Sequence, residues 1–159
     1  MDELEKESHY QQARQKITAM LAGERDEIAQ MATVSSILAG EFPYFYWTGF
    51  YRLLGGELVV GPYQGTPGCL RINLARGVCG AAASDQKTLI VEDVHQFPGH
   101  IACDSASRSE IVVPVYGGNG ELIAVLDVDS DQPAAFTNTD RVGLEGIVSA
   151  VFGADRVVD

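Results

Sequence analysis

The sequence predicts an α+β domain: a mainly antiparallel sheet flanked by helices from the two ends of the chain. Three observations lead there. Apolar residues recur at helical spacing near both termini. The middle of the chain is rich in aromatic and β-branched residues. Glycine-rich turns punctuate that middle, as hairpins require. Strands grouped between helices, rather than alternating with them, argue for a layered α+β arrangement.

The elements follow in order. Residues 3–22 form a helix with Tyr10, Ile17 and Leu21 on one stripe, and Gly23 as its stop. Residues 24–42 form a second, with Ile28, Met31, Ala32, Ile37 and Leu38 as its apolar set. Strands at 44–54 and 57–65 join through Gly55-Gly56. Side chains alternate along a strand, so Trp47, Gly49 and Tyr51 share one face and Phe50 and Arg52 the other. Trp47 and Tyr51 suit either a sheet core or an aromatic wall for a small ligand, with Gly49 leaving space between them.

A short strand CLRINL, at 69–74, precedes a glycine turn and an alanine-rich helix at 75–86. Cys79 falls in the first turn of that helix, where the dipole lowers a thiol's pKa. GVCGAA lacks the Lys-Ser/Thr ending of a phosphate loop, so nucleotide binding is not indicated. A strand at 88–94 leads into a polar loop at 95–110 that holds His95, His100, Cys103, Asp104 and Arg108. A loop of that length inside a compact domain marks function. His or Arg beside Cys103 would favour its thiolate.

A hairpin spans 110–130. A turn over 116–121 sets Val115 against Leu122 and Glu110 against Asp127. Asp129 then shares their face. Aspartate is disfavoured in strands, so two at alternate positions in LIAVLDVD need a reason: a solvated face or a working one. Crowded carboxylates raise one another's pKa, so one could stay neutral near pH 7 and donate a proton. Pro114 cannot donate to a ladder and marks an edge or a break in pairing. Thr137 and Asp140 form a capping-box pattern ahead of a helix at 140–153 that buries Leu144, Ile147, Val148 and Val151. This helix is expected beside the N-terminal pair.

Composition bounds the function. At 159 residues and 46% hydrophobic, the chain is expected to be one domain over 1–159 with a proper core. A net charge of −11 repels phosphate backbones, so nucleic acid is excluded as a partner. No apolar run reaches the roughly 20 residues of a membrane span. The acidic start MDELEKESHY is unlike a secretory signal, so a cytoplasmic setting is expected. Three cysteines in a reducing compartment are core thiols, metal ligands or redox groups. His95, His100 and Cys103 show no paired zinc spacing.

Four stretches read together: WTGFY at 47–51, GVCG at 77–80, EDVHQFPGHIACDSASRSEIVVP at 92–114 and VLDVDS at 125–130. They resemble the free methionine-(R)-sulfoxide reductases, a family built on the GAF fold, over nearly the whole chain. The resemblance implies a GAF-like domain that reduces free L-methionine-(R)-sulfoxide. It implies Cys103 as the attacking thiol, Cys69 as its resolving partner and Cys79 in an auxiliary or alternative resolving role. It implies that Trp47, Tyr51, Glu110, Asp127 and Asp129 line the substrate pocket; of the acids, Glu110 is the expected proton donor because it is closest in sequence to the Cys103 loop. It implies no metal or organic cofactor, thioredoxin as reductant, and leaves a homodimer open. The rival reading is a non-catalytic GAF module that senses a small ligand. Surplus thiols count against it.

Overall fold

The computed structural model describes residues 1–100, 103 and 105–153. Two helices open the chain, α1 (Glu3–Met20) and α2 (Glu27–Glu41). Asp2 and Asp26 cap them, each accepting a backbone N–H three residues on at 2.8 and 2.9 Å. The stripe on α1 is Lys6, Tyr10, Ala13 and Ile17. On α2 it is Gln30, Met31, Val34, Ser35 and Leu38. Ile28 and Ala32, expected inside, are exposed. The helix turns a different arc inward, one that includes the small polar Ser35, so hydrophobicity alone misplaces the stripe.

The strands are β1 (Trp47–Leu54), β2 (Glu57–Gln64), β3 (Arg71–Asn73), β4 (Leu89–Val91), β5 (Ser109–Tyr116) and β6 (Leu122–Ser130). They form one sheet in the order β3-β2-β1-β6-β5-β4, with antiparallel neighbours throughout. The first strand begins at Trp47 rather than Tyr44. Tyr44 and Phe45 instead pack with Phe42 as an aromatic corner, with ring centroids 4.6 to 5.9 Å apart. Gly55 and Gly56 both hold positive φ, 59° and 82°, which the two-residue turn demands. Pro114 pairs with Val125 on one side, while β4 ends against Val112, so its other side is locally an edge.

The β5–β6 register differs from the expected one. Glu110 faces Asp129, and Asp127 faces Val112. The turn is tighter, with Tyr116 opposite Leu122, and an irregularity between Val115 and Tyr116 moves the pairing one further residue. The total slip is two residues, an even number. Every side chain therefore keeps its face, and all three acids still point the same way.

Helix α3 (Gly77–Asp85) and helix α4 (Asn138–Phe152) complete the chain. The sheet has two unlike coverings. Its Phe50, Ile111, Val113, Val115, Ala124, Leu126 and Val128 face is closed by α1, α2 and α4. The opposite face carries Trp47, Tyr51, Val112 and Val125 and is covered by α3 through Val78, Cys79, Ala82 and Ala83. A short 3-10 turn, Val94–Gln96, starts the loop that roofs the rest. No described helix is long and apolar enough to cross a membrane.

Candidate active site

The site lies on the α3 side of the sheet, where three strands place polar groups among apolar ones. Trp47 and Tyr51 come from β1, Glu110 from β5, and Asp127 and Asp129 from β6. Trp47 faces Asp129 and Gly49 faces Asp127 across the β1–β6 ladder. Aromatic residues and carboxylates therefore share one patch. Trp47 is fixed by its indole N–H, which donates to the Thr66 carbonyl at 2.8 Å. Tyr51 and Tyr63 stack beside it at centroid distances of 5.7 and 4.9 Å, both 20° from parallel. Gly49 does not open space for a ligand between Trp47 and Tyr51. A Cβ there would run into Tyr63 and the Trp47 ring, so the gap lets those aromatics close in.

These groups wall a small cavity of about 50 Å³. Trp47, Tyr51, Cys79, Cys103, Glu110, Asp127 and Asp129 all line it. Cys69, the remaining site residue expected from the sequence, is joined to Cys103 by a disulfide, with Cα atoms 5.3 Å apart across 34 residues. Both bonded cysteines are half-buried, whereas Cys79 is a buried free thiol. The Cys103 loop is pinned at several points. Val94 N–H donates to Arg108 O at 2.9 Å, Arg108 N–H to Ser130 O at 2.8 Å, and Gly77 N–H to Gly99 O at 3.1 Å. Asp104, singled out beside Cys103 in the sequence, lies outside the described residues.

The acids are deeply placed. Glu110 is 7% exposed and Asp127 5%. Burial pushes both well above the ordinary carboxylate range; the charge of Asp127 adds to the shift of Glu110, and that of Asp129 to the shift of Asp127. Their carboxylate oxygens lie within 4.8 Å of each other, so the two titrate as a coupled pair rather than as separate groups. Among the described residues, one oxygen of Asp127, Oδ1, is buried with no hydrogen-bond partner. In a native protein an orphan of this kind calls for an explanation, and a ligand is one.

Cys79 reverses its expectation. It sits in the first turn of α3, but burial and the charges of Asp127 and Glu110 push its thiol well above the ordinary value. Desolvation outweighs the helix terminus. Its Sγ approaches Glu110 Oε2 at 3.9 Å. Cys79, Glu110 and Asp127 bring one ligand atom each within 4.8 Å of one another. A cation would have to displace the protons these groups hold. All three are buried beside a disulfide and pushed toward their protonated forms.

Some wall residues escaped the sequence reading: Pro67, Gly68, Ile72 and Ser107. Pro67 and Gly68 belong to the run GTPGC just before Cys69, and the density of turn residues there was the available signal. Ser107 is buried although its loop is polar, which no pattern announces.

The chain is similar to known proteins over most of its length. The GAF domain family model matches residues 27–151. A free methionine-R-sulfoxide reductase from Escherichia coli is 42% identical over 146 residues, covering 92% of this chain and 88% of that protein. GAF domain-containing protein A of Dictyostelium discoideum is 47% identical, covering 90% of each. Among solved structures, a free methionine-R-sulfoxide reductase from Neisseria meningitidis, in complex with its substrate, superposes with a TM-score of 0.89. It shares 38% identity and covers all of this chain and 95% of that one.

Proposed function

The chain belongs to the free methionine-(R)-sulfoxide reductase family of GAF domains, and from that premise we propose that it is an oxidoreductase reducing free L-methionine-(R)-sulfoxide to methionine. The observation that carries the reading is the Cys69–Cys103 disulfide at a cavity lined by buried carboxylates, whose burial pushes them toward their protonated forms.

The chemistry follows from those groups. A sulfoxide is a poor electrophile until its oxygen is protonated. Glu110 supplies that proton while the Cys103 thiolate attacks sulfur. Methionine leaves and Cys103 becomes a sulfenic acid, which condenses with the Cys69 thiol and releases water. The disulfide between these two residues is the expected end state of one turnover. Cys79, buried and holding its proton, is an auxiliary thiol and a slower resolving partner in this scheme. Trp47 and Tyr51 pack the methyl end of the substrate, and Asp127 and Asp129 take its ammonium group. The orphaned Asp127 Oδ1 suits that partner.

A dithiol protein, with thioredoxin as our choice, resets the disulfide. Both of its cysteines are half-buried rather than enclosed, which suits attack from outside. Such recycling belongs to a reducing compartment, so the proposal includes a cytoplasmic setting. Reduced protein incubated with each epimer of free methionine sulfoxide tests the reading. Methionine should appear from the R epimer only, one equivalent per chain without a reductant. No methionine from the R epimer would overturn it.

A further inference from the structure

Thiolate attack leaves one proton without a destination, the one on the Cys103 thiol. Most groups facing the cavity cannot take it. Glu110, Asp127 and Cys79 are already pushed toward their protonated forms, first of all by burial. Any of the acids that does ionise works against a second negative charge on sulfur. Among the described residues, neither a lysine nor an arginine lines the cavity. The wall does carry one imidazole, that of His100.

His100 is held in place from both sides. Its N–H donates to Phe97 O at 3.1 Å. The preceding Gly99 carbonyl accepts from Gly77 N–H at 3.1 Å, which ties the loop to the start of the helix that carries Cys79. Its ring meets that of His95 edge to face, with centroids 5.8 Å apart. His95 sits on the 3-10 turn, where Asp93 Oδ1 accepts its N–H at 3.0 Å.

Resting on the reading of the preceding subsection, we propose that His100 is the base that takes the Cys103 proton. The S–H bond breaks, its electron pair stays on sulfur, and the proton passes to an imidazole nitrogen. The thiolate attacks the sulfoxide while Glu110 protonates the departing oxygen. The imidazolium returns its proton to Glu110 by way of solvent, so acid and base are both restored; the two thiol protons leave in the water formed with the disulfide, and the dithiol reductant replaces them.

The charged surroundings of His100 allow this. Burial, and then the charge of His95, push its pKa below the ordinary value, while Asp93 pulls the other way. The first two prevail, so the ring is neutral at pH 7 and free to accept. It lines the same cavity as Cys79 on α3, Glu110 on β5, and Asp127 and Asp129 on β6.

The test is alkylation of the fully reduced protein by iodoacetamide between pH 5.5 and 9.5, read at Cys103 by peptide mass spectrometry. In His100→Gln the rate at pH 7 should fall about tenfold, and the profile should move up by about one pH unit. The two proteins should converge above the ordinary thiol pKa of about 8.5. An unchanged profile overturns the proposal. No sulfoxide is involved, so the result stands apart from the fate of the proposed reaction. If His100→Gln does not fold, the wild-type imidazole decides by NMR. His100 should titrate higher in the reduced wild type, beside a thiolate, than in Cys103→Ser. Identical titrations overturn the proposal.

Discussion

Two aspartates lie deep in this molecule on opposite sides of one sheet, and they are kept in opposite ways. Asp140, fully buried near the start of α4, has both oxygens engaged. Oδ2 accepts from Lys6 Nζ at 2.7 Å and from the Thr137 N–H at 2.7 Å. Oδ1 accepts from the hydroxyls of Tyr10 at 2.8 Å and Tyr44 at 2.5 Å. Lys6 in turn donates to the Ala135 carbonyl at 3.0 Å and lies 5.0 Å over the Tyr44 ring. Among the described residues, Asp127 has no ion-pair partner, two acids as neighbours and an orphaned Oδ1. Both are buried, but the partners differ. A buried charge that is fully paired ties elements together, here α1 to α4 and the aromatic corner. A buried acid left short of partners raises its own pKa and waits for a ligand or a proton. The first is architecture. The second is chemistry that the architecture must hold in place.

The contrast breaks most sharply at the thiol. Cys103→Ser should lower turnover by on the order of 10³-fold or more, since a hydroxyl is a far weaker nucleophile than a thiolate. Under reducing conditions its stability should stay within about 0.5 kcal/mol of wild type. Retained reduction of free methionine-R-sulfoxide would remove Cys103 from its assigned place. Glu110→Gln keeps the shape and loses the deliverable proton. Single-turnover kinetics should show the chemical step slowed by about 10²–10⁴-fold with the far-UV spectrum unchanged. A wild-type rate would mean that the acid is elsewhere.

On the other face the effect should move from rate to stability. Lys6→Met removes the cation from Asp140 and should cost about 3–5 kcal/mol in urea unfolding, the usual penalty for stranding a buried partner. The folded fraction should still reduce substrate at the normal rate. A loss below about 1 kcal/mol would show that the tyrosines and the Thr137 N–H suffice alone.

Much of this arrangement was legible in the residue pattern, and the failures share a cause. Strand alternation placed Trp47 and Tyr51 opposite Phe50, and Glu110, Asp127 and Asp129 on one face, because the period of two is geometric. The partner of Glu110 was not legible. It depends on a turn length and on an irregularity at Val115/Tyr116 that leave no mark in the residues. The capping role of Asp140 could be read from Thr137, three residues before it, but not its second role. Lys6, 134 residues away, gives no local hint that it is buried. The direction of the Cys79 shift was missed for the same reason. A helix start is a local feature, whereas the two acids that outweigh it arrive from β5 and β6. Local rules found the elements and their faces; what the faces meet is set by the rest of the chain.

The smallest expected effect sharpens the comparison furthest, because it reads the discomfort of Asp127 directly. Burial and the charge of Asp129 raise its pKa above the ordinary carboxylate value near 4. Glu110 is shifted in the same direction, again first by burial. Between pH 4 and its native titration, the folded protein therefore binds more protons than the unfolded chain. Unfolding releases them, so the contribution of this pair is fully present below about pH 4 and is lost as pH rises through the native value. Other carboxylates slope the opposite way. Glu41 is one, held low by hydrogen bonds from Lys16 and His9 against the push of its burial. The quantity to follow is thus the difference between a variant and wild type rather than either profile alone. Asp127→Asn cannot ionise and nearly matches the protonated acid in shape. Urea unfolding under reducing conditions should find the two proteins equal near pH 4. By pH 8 the variant should be the more stable by about 1 kcal/mol, while it binds and reduces substrate less well. A stabilised but impaired protein would identify Asp127 as a residue kept at a cost to folding for the sake of the site. If the variant is instead the less stable at pH 8, Asp127 is a structural acid like Asp140, and its unpartnered oxygen has another explanation.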